Sequence, residues 1–182
     1  MSRAFVSESD EQFQDDEIPE IRSPLPQGAR NYMTPAGAER LQRELQELAG
    51  VERARIAGEV THLAAGGSNT ERDELAVQRR RLREIDRRIE YLRGMSSRLE
   101  VIDPRGQDPS RIAFGATVTV REGADTNHYT IVGVDEADPE AGRISWISPV
   151  ARALVGARVG QTVTVRLPRG DTRLSVENIS YI

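Results

Sequence analysis

The chain has 182 residues, no cysteine, 25 arginines with no lysine, and a net charge of −4. This length suits one large domain or two small ones; the missing cysteine excludes disulfides and thiolate metal sites, and no apolar run approaches the roughly 18 residues that a membrane helix needs. Residues 1–30 hold seven acids and three arginines, while residues 31–103 and 104–182 each balance, so the net charge belongs to the first thirty residues and a general nucleic-acid binder with a basic body is excluded.

Residues 1–30 form an acidic leader carrying Ser-Pro-Leu-Pro, with few residues that could build a core. Such composition reads as disordered. It is too acidic and too polar for a signal or transit peptide, so a soluble cytoplasmic protein is the expectation. The leader either contacts a partner or is simply solvated.

Residues 31–102 predict two long helices. Thr34 stands as an N-cap before Pro35 at the first helical position. Apolar residues follow at Leu41, Leu45, Leu48, Ile56, Val60 and Leu63, with a one-residue phase slip between Leu48 and Ile56 that resembles a coiled-coil stutter. The second helix keeps a 3–4 spacing through Leu75, Leu82, Ile85, Ile89, Leu92 and Leu99, with polar Gln78 and Ser96 in the seam. Between them, Gly66 and Gly67 are expected to end the first helix in the left-handed region. Ser68 and Glu71 fit a capping box for the second. So short a turn folds the helices back antiparallel, as a rod of roughly 45 Å at 1.5 Å per residue. The tip, residues 66–75, gathers Glu71, Asp73 and Glu74. Carboxylates in a first helical turn complement the helix dipole; a rod with a charged end is also a reaching device, and periodicity does not separate the two.

Residues 103–110, "DPRGQDPS", read as a linker. Residues 111–182 read as strands, in "ATVTVRE", "NHYTIVGV", "GRISWIS", "QTVTVRL" and "TRLSVENISYI", interrupted by a short helix in "SPVARALVG" with Ser148 as cap and Pro149 at its start. The expected class is α+β with an antiparallel sheet.

Few residues suggest independent chemistry. His62 and His128 lack paired ligands, no Gly-x-Ser-x-Gly elbow is present, and "GARVGQTVTV" lacks the ending of a phosphate loop. The cluster Arg79, Arg80, Arg81, Arg83, Arg87 and Arg88 has acids three or four residues away at Glu84, Asp86 and Glu90. It reads either as a salt-bridged surface or as a phosphate-contacting strip near the tip.

Four stretches, "NYMTPAGAERLQREL", "RRRLREIDRRIEYL", "FGATVTV…YTIVGVDEAD" and "ISPVARALVGARVGQTVTV", resemble the bacterial Gre transcription elongation factors, of the GreB kind, over about residues 31–182. The resemblance implies an N-terminal antiparallel coiled-coil hairpin followed by an FKBP-like domain at residues 111–182. It implies a monomer that docks on RNA polymerase at the rim of the secondary channel and passes the coiled coil toward the active site. In backtracked complexes, acidic tip residues of such factors help hold the second Mg²⁺, and polymerase cuts the extruded RNA 3′ end by two-metal hydrolysis. The factor would then be no enzyme, with no cofactor or metal of its own; the Mg²⁺ belongs to polymerase.

Residue by residue, the family's tip reads Gly-Asp-x-x-Glu-Asn-Ala-Asp/Glu-Tyr, and this chain reads "GSNTERDEL". Glu71 and Glu74 match the family's Glu and its last acid. Ser68 stands at the Asp position, Arg72 at the Asn, Asp73 at the Ala and Leu75 at the Tyr. The candidate catalytic carboxylates are therefore Glu71, Asp73 and Glu74. Arg79 and Arg80 match the paired basic residues of GreB-like factors that face the RNA 3′ end, and Ser148, Pro149 and Arg152 are the candidate docking residues. A channel-occupying inhibitor is the alternative suggested by Ser68 and Arg72. An FKBP-like prolyl isomerase or chaperone is a more distant one, since its pocket needs an aromatic lining and the domain offers only Phe114, Tyr129, Trp146 and Tyr181.

Overall fold

The computed structural model describes residues 21–66, 68–168 and 170–181. A short strand β1 (Asn31–Met33) leads into helix α1 (Pro35–Glu47). A π-helical segment, Leu48–Glu52, joins α1 directly to α2 (Arg53–Ala64). After the turn comes α3 (Asn69–Ser96), 28 residues long, and then β2 (Leu99–Val101). The phase slip thus becomes a π-turn, in which the Arg53 N–H donates to the Leu48 carbonyl, rather than a stutter in a continuous α-helix.

The two helical arms run antiparallel, because partner numbers fall on one as they rise on the other. Glu44 accepts from Arg88 at 2.7 and 2.9 Å, while Glu52 pairs with Arg81 at 3.6 Å. Ile56, Ile85 and Ile89 are buried in the seam, with Leu82, Leu45 and Leu48 against them. Each such side chain contributes about 1.5–3 kcal/mol on full burial, while the exposed ion pairs contribute little.

At the base, Met33, Leu41, Leu92 and Met95 form a second core with Val134, Trp146 and Ile147 of the globular part. β1 and β2 pair there in parallel, Tyr32 opposite Glu100. Leu25 is buried in the same cluster. Leu25 and Ala29, in the stretch that composition assigns to a disordered leader, therefore pack on the base, while their neighbours in 21–30 are exposed; the rest of that leader, residues 1–20, lies outside the described residues.

The globular part holds β3 (Ala116–Glu122), β4 (Asp125–Val132), β5 (Arg143–Ser145), helix α4 (Pro149–Leu154), β6 (Thr162–Leu167) and β7 (Gly170–Tyr181). The sheet order is β5-β4-β3-β7-β6. Alternation along β3 buries Ala116, Val118 and Val120 against Ile131, Leu174, Val176, and Leu154 of α4. The opposite face is polar, with Thr117 against Thr130 and Thr119 against His128, each at 3.1 Å. The class is α+β. The expectation of a wholly antiparallel sheet is corrected at one edge: β5 pairs parallel to β4, Ile144 opposite Ile131. The crossover between them is the acidic segment with 3₁₀ turns at Val134–Glu136 and Pro139–Ala141, which carries the chain back beside Thr130, so that β5 runs in the same direction as the last three residues of β4.

Tyr91 ties α3 to this crossover, donating to Asp135 at 2.7 Å. Burial, then the hydrogen bond to Asp135, pushes its phenol well above the ordinary value near 10. The folded chain then keeps a proton that the unfolded chain releases, so stability falls as pH rises above about 10. Urea midpoints at pH 9 and pH 11 check this: the loss is expected to be shallower in Tyr91→Phe, and an equal loss in both proteins would refute it.

Candidate functional site at the arm tip

The end of the arm is built by capping. Ala65 and Gly66 close α2 through their N–H groups to His62 and Leu63 carbonyls, at 3.2 and 3.1 Å. Ser68 starts α3 in an extended conformation. Its Oγ accepts from the Glu71 N–H at 3.2 Å, and the Glu71 carboxylate accepts from the Ser68 N–H at 2.9 Å and the Ser68 hydroxyl at 2.7 Å. This is the capping box that the Ser-x-x-Glu spacing predicts. Gly66 does not make a left-handed turn, since it has no positive φ; a Cβ there would displace the Glu71 carboxylate from its place on the cap. The same expectation for Gly67 lies outside the described residues.

The three tip carboxylates are therefore not equivalent. Glu71 is turned back onto the cap and is partly buried, whereas Asp73 and Glu74 are exposed. Asp73 and Glu74 edge a groove of about 270 Å³ with Leu63, Val77 and Gln78. Arg72 is exposed on the same turn. Oxygen ligands of this kind suit Mg²⁺, which is usually held by one or two carboxylates together with phosphates and water. Among the described residues no group of three or more His, Asp or Glu converges on one point that could hold a metal ion.

The arginine strip divides. Arg80 pairs with Glu84 at 3.2 Å, Arg81 with Glu52 and Arg88 with Glu44, so these hold the two helices or their own turn. Arg79 is exposed on α3 about three turns from the Ser68 cap. On the globular part, Ser148 caps α4 by accepting from the Ala151 N–H at 3.2 Å, and Pro149 and Arg152 are exposed beside it. Val155 and Val159, which follow α4 in the chain, are also exposed; the alternation of the strands did not point to them. His62 is exposed at the end of α2, and His128 is bonded to Thr119.

The aromatic side chains where the arm meets the globular part are committed to packing. Tyr32 from the arm's base meets Trp146 edge-on at 5.2 Å and Phe114 at 6.2 Å, and the Tyr181 hydroxyl bridges the Arg111 carbonyl and the Ala113 N–H, at 2.8 Å each.

The sequence model described as "Transcription elongation factor, N-terminal" matches residues 31–101, and that described as "Transcription elongation factor, GreA/GreB, C-term" matches residues 107–181. The chain is 38% identical over 155 residues to transcription elongation factor GreB of Neisseria meningitidis serogroup B, covering 84% of this chain and 95% of that one. It belongs to the GreA/GreB family of transcription elongation factors. GreB of Pseudomonas aeruginosa is 42% identical over 150 residues, covering 82% of this chain and 89% of its own length. Among solved structures, GreA factor homolog 1 (Gfh1) of Thermus thermophilus is 21% identical with a TM-score of 0.39, covering 84% of this chain and 99% of that one.

Ser68 stands where the resemblance implies an aspartate, and Glu71 and Glu74 where it implies a glutamate and a last acid. Serine preserves the cap and removes a charge.

Proposed function

We propose that this chain regulates elongation by docking its globular domain, FKBP-like by resemblance, on bacterial RNA polymerase and passing the helical arm down the secondary channel. The observation that carries the reading is the placing of Asp73 and Glu74, exposed, at the end of an arm whose 28-residue helix spans about 40 Å. In a paused or backtracked complex, Ser148, Pro149 and Arg152 belong to the docking face and Arg79 reaches the phosphates of the extruded RNA 3′ end. Asp73 and Glu74 bring negative charge to the polymerase active site. A Mg²⁺ ion held there supplies Lewis acidity and an activated water; the chain's carboxylates add oxygen ligands and orient that water, and the covalent chemistry stays with polymerase. The chain acts as a cytoplasmic monomer.

One specific observation favours a second reading, in which the arm occupies the channel without stimulating cleavage. Glu71, which matches the family's glutamate, is already satisfied by Ser68 in the capping box, and Arg72 brings a positive charge beside it. One experiment separates the readings. Purified RNA polymerase is stalled in a backtracked complex, the full chain is added to saturation, and RNA length and restart are followed. Shortened RNA that can be extended supports the cleavage reading. Slowed restart without shortening supports occupancy. No change in either, with or without prior incubation, would overturn both.

A further inference from the structure

The base of the arm holds a carboxylate that no tip chemistry uses. Glu136, in the crossover after β4, is only 6% exposed. It accepts from the Thr34 N–H at 3.0 Å, from the Thr34 hydroxyl at 2.5 Å and from the Gly133 N–H at 3.1 Å. The Thr34 hydroxyl in turn accepts from the Gly37 N–H at 3.1 Å, which is the N-cap bond of α1. Arg40, one turn further along α1, lies 3.6 Å from the same carboxylate. The globular domain therefore extends the cap of the arm's first helix through a buried charge.

Two glycines leave room for it. A Cβ at Gly37 would strike the Glu136 carboxylate, and one at Gly133 would lie 2.7 Å from Glu136 Oε2 and 2.6 Å from the Tyr32 carbonyl. Burying a carboxylate is costly unless its oxygens are satisfied. Here each oxygen has its donor on the other domain or on its own turn, so the satisfied geometry exists at one relative orientation of arm and domain. The neighbouring Tyr91–Asp135 hydrogen bond joins the crossover to α3, so both helices are held.

We infer that Glu136 is the positioning residue that fixes the direction of the arm, and through it the place of the tip. The inference rests on the tip being the acting end, as proposed above. The lever makes the effect large: an error of about 10° at the base displaces the end of a 40 Å arm by roughly 7 Å, and misplacement by about 1 Å already costs up to about a hundredfold in positioned chemistry.

The test uses the full chain in two measurements. The chain has no cysteine, so Thr70→Cys at the tip and Thr164→Cys on β6 carry two spin labels without background. Pulsed electron resonance then reads the tip-to-domain distance distribution. Unlabelled variants are titrated into the stalled polymerase complex, and the maximal effect on RNA is separated from the half-saturating concentration. Glu136→Ala is expected to widen the distribution about twofold and to cut the maximal effect about tenfold or more, with half-saturation moved less than twofold, because the docking face is untouched. Glu136→Gln is expected to restore most of both: its carbonyl still accepts from the two backbone N–H groups, and its amide donates to the Thr34 hydroxyl. Gly37→Ala is expected to reproduce the widening by displacing the carboxylate, and to add nothing when combined with Glu136→Ala. Should Glu136→Ala fail to fold, Gly37→Ala carries the test. A distribution as narrow as the native one in both variants would overturn the inference, as would a loss confined to half-saturation. If the native chain has no effect on polymerase, the functional reading falls, and the distance distribution alone decides whether Glu136 sets the arm.

Discussion

Ser68→Asp combined with Arg72→Asn is expected to raise the rate of RNA shortening in a backtracked complex about tenfold or more over the native chain, both at saturation. Aspartate and serine are both good N-caps, so the capping box and the arm stay nearly as stable. What changes is charge. The double variant makes the tip two units more negative on a turn that carries Glu71, Asp73, Glu74 and Arg72. A unit charge about 6 Å from another is worth roughly 0.7–3 kcal/mol between aqueous and surface dielectrics, and 1.4 kcal/mol is a factor of ten in rate. The Ser68 N–H still holds Glu71 Oε2 in the capping box, so the gain comes from the added charge and not from release of Glu71. Ser68→Asp alone is expected to gain less, because Arg72 remains as its nearest cation. Glu71→Ala is expected to remove cleavage that depends on the family's glutamate. If the native chain already cleaves as fast as the double variant, Ser68 is a neutral replacement and Asp73 or Glu74 supplies the ligand. If both bind and neither cleaves, the tip only occupies the channel.

Much of the arm was legible because its signals are local. Leu82, Ile85, Ile89 and Leu92 follow the helical period, and Thr34–Pro35 and Ser68–Glu71 are capping patterns contained within four residues. The same locality exposed the phase slip at Leu48–Ile56, although periodicity alone did not distinguish a π-turn from a stutter. In the globular part, alternation located β3, β6 and β7, but the direction of β5 depends on a crossover whose residues carry no period. The β1–β2 pair is three residues on each strand, too short for alternation to register. The capping box was readable as a helix start; that it turns the Glu71 carboxylate away from the open tip follows from the geometry. Glu136 was hidden for a different reason. In "VDEAD" it looks like one acid of a solvated turn, and its partners Thr34 and Gly37 lie about a hundred residues away in sequence. Only the fold brings the donors that make its burial tolerable.

The π-turn leads to the second large effect, a contrast between two single-residue deletions. Leu48 and Ile56 are eight residues apart, while a regular helical seam returns after seven. A turn closed from residue i to i+5 takes up one residue more than an α-turn, and the bond from Arg53 N–H to the Leu48 carbonyl is that closure. Deleting Gly50 would convert it into an ordinary α-turn and leave Leu48, Ile56 and Leu63 at seven-residue intervals on one stripe. It would also remove a glycine that costs about 1 kcal/mol against alanine in a helix. The variant is expected to melt at or above the native temperature, with the isoleucine from position 56 still buried. Gly58 is a fair control, since a Cβ at either glycine would meet nothing within 4 Å. Deleting Gly58 shortens the Ile56–Leu63 interval to six residues, which turns everything beyond it by about 100°. Leu63 then leaves the seam, the tip is presented from another side, and the arm is expected to lose about 1–2 kcal/mol, half or less of a full core truncation. For a chain of this size that is roughly 2–8 °C in melting temperature. Circular dichroism melts of the two deletions, with RNA length in the stalled complex as the second readout, decide the matter. If loss of Gly50 is as damaging as loss of Gly58, the π-turn is a bend that the arm needs, and the extra residue is part of how the tip is aimed.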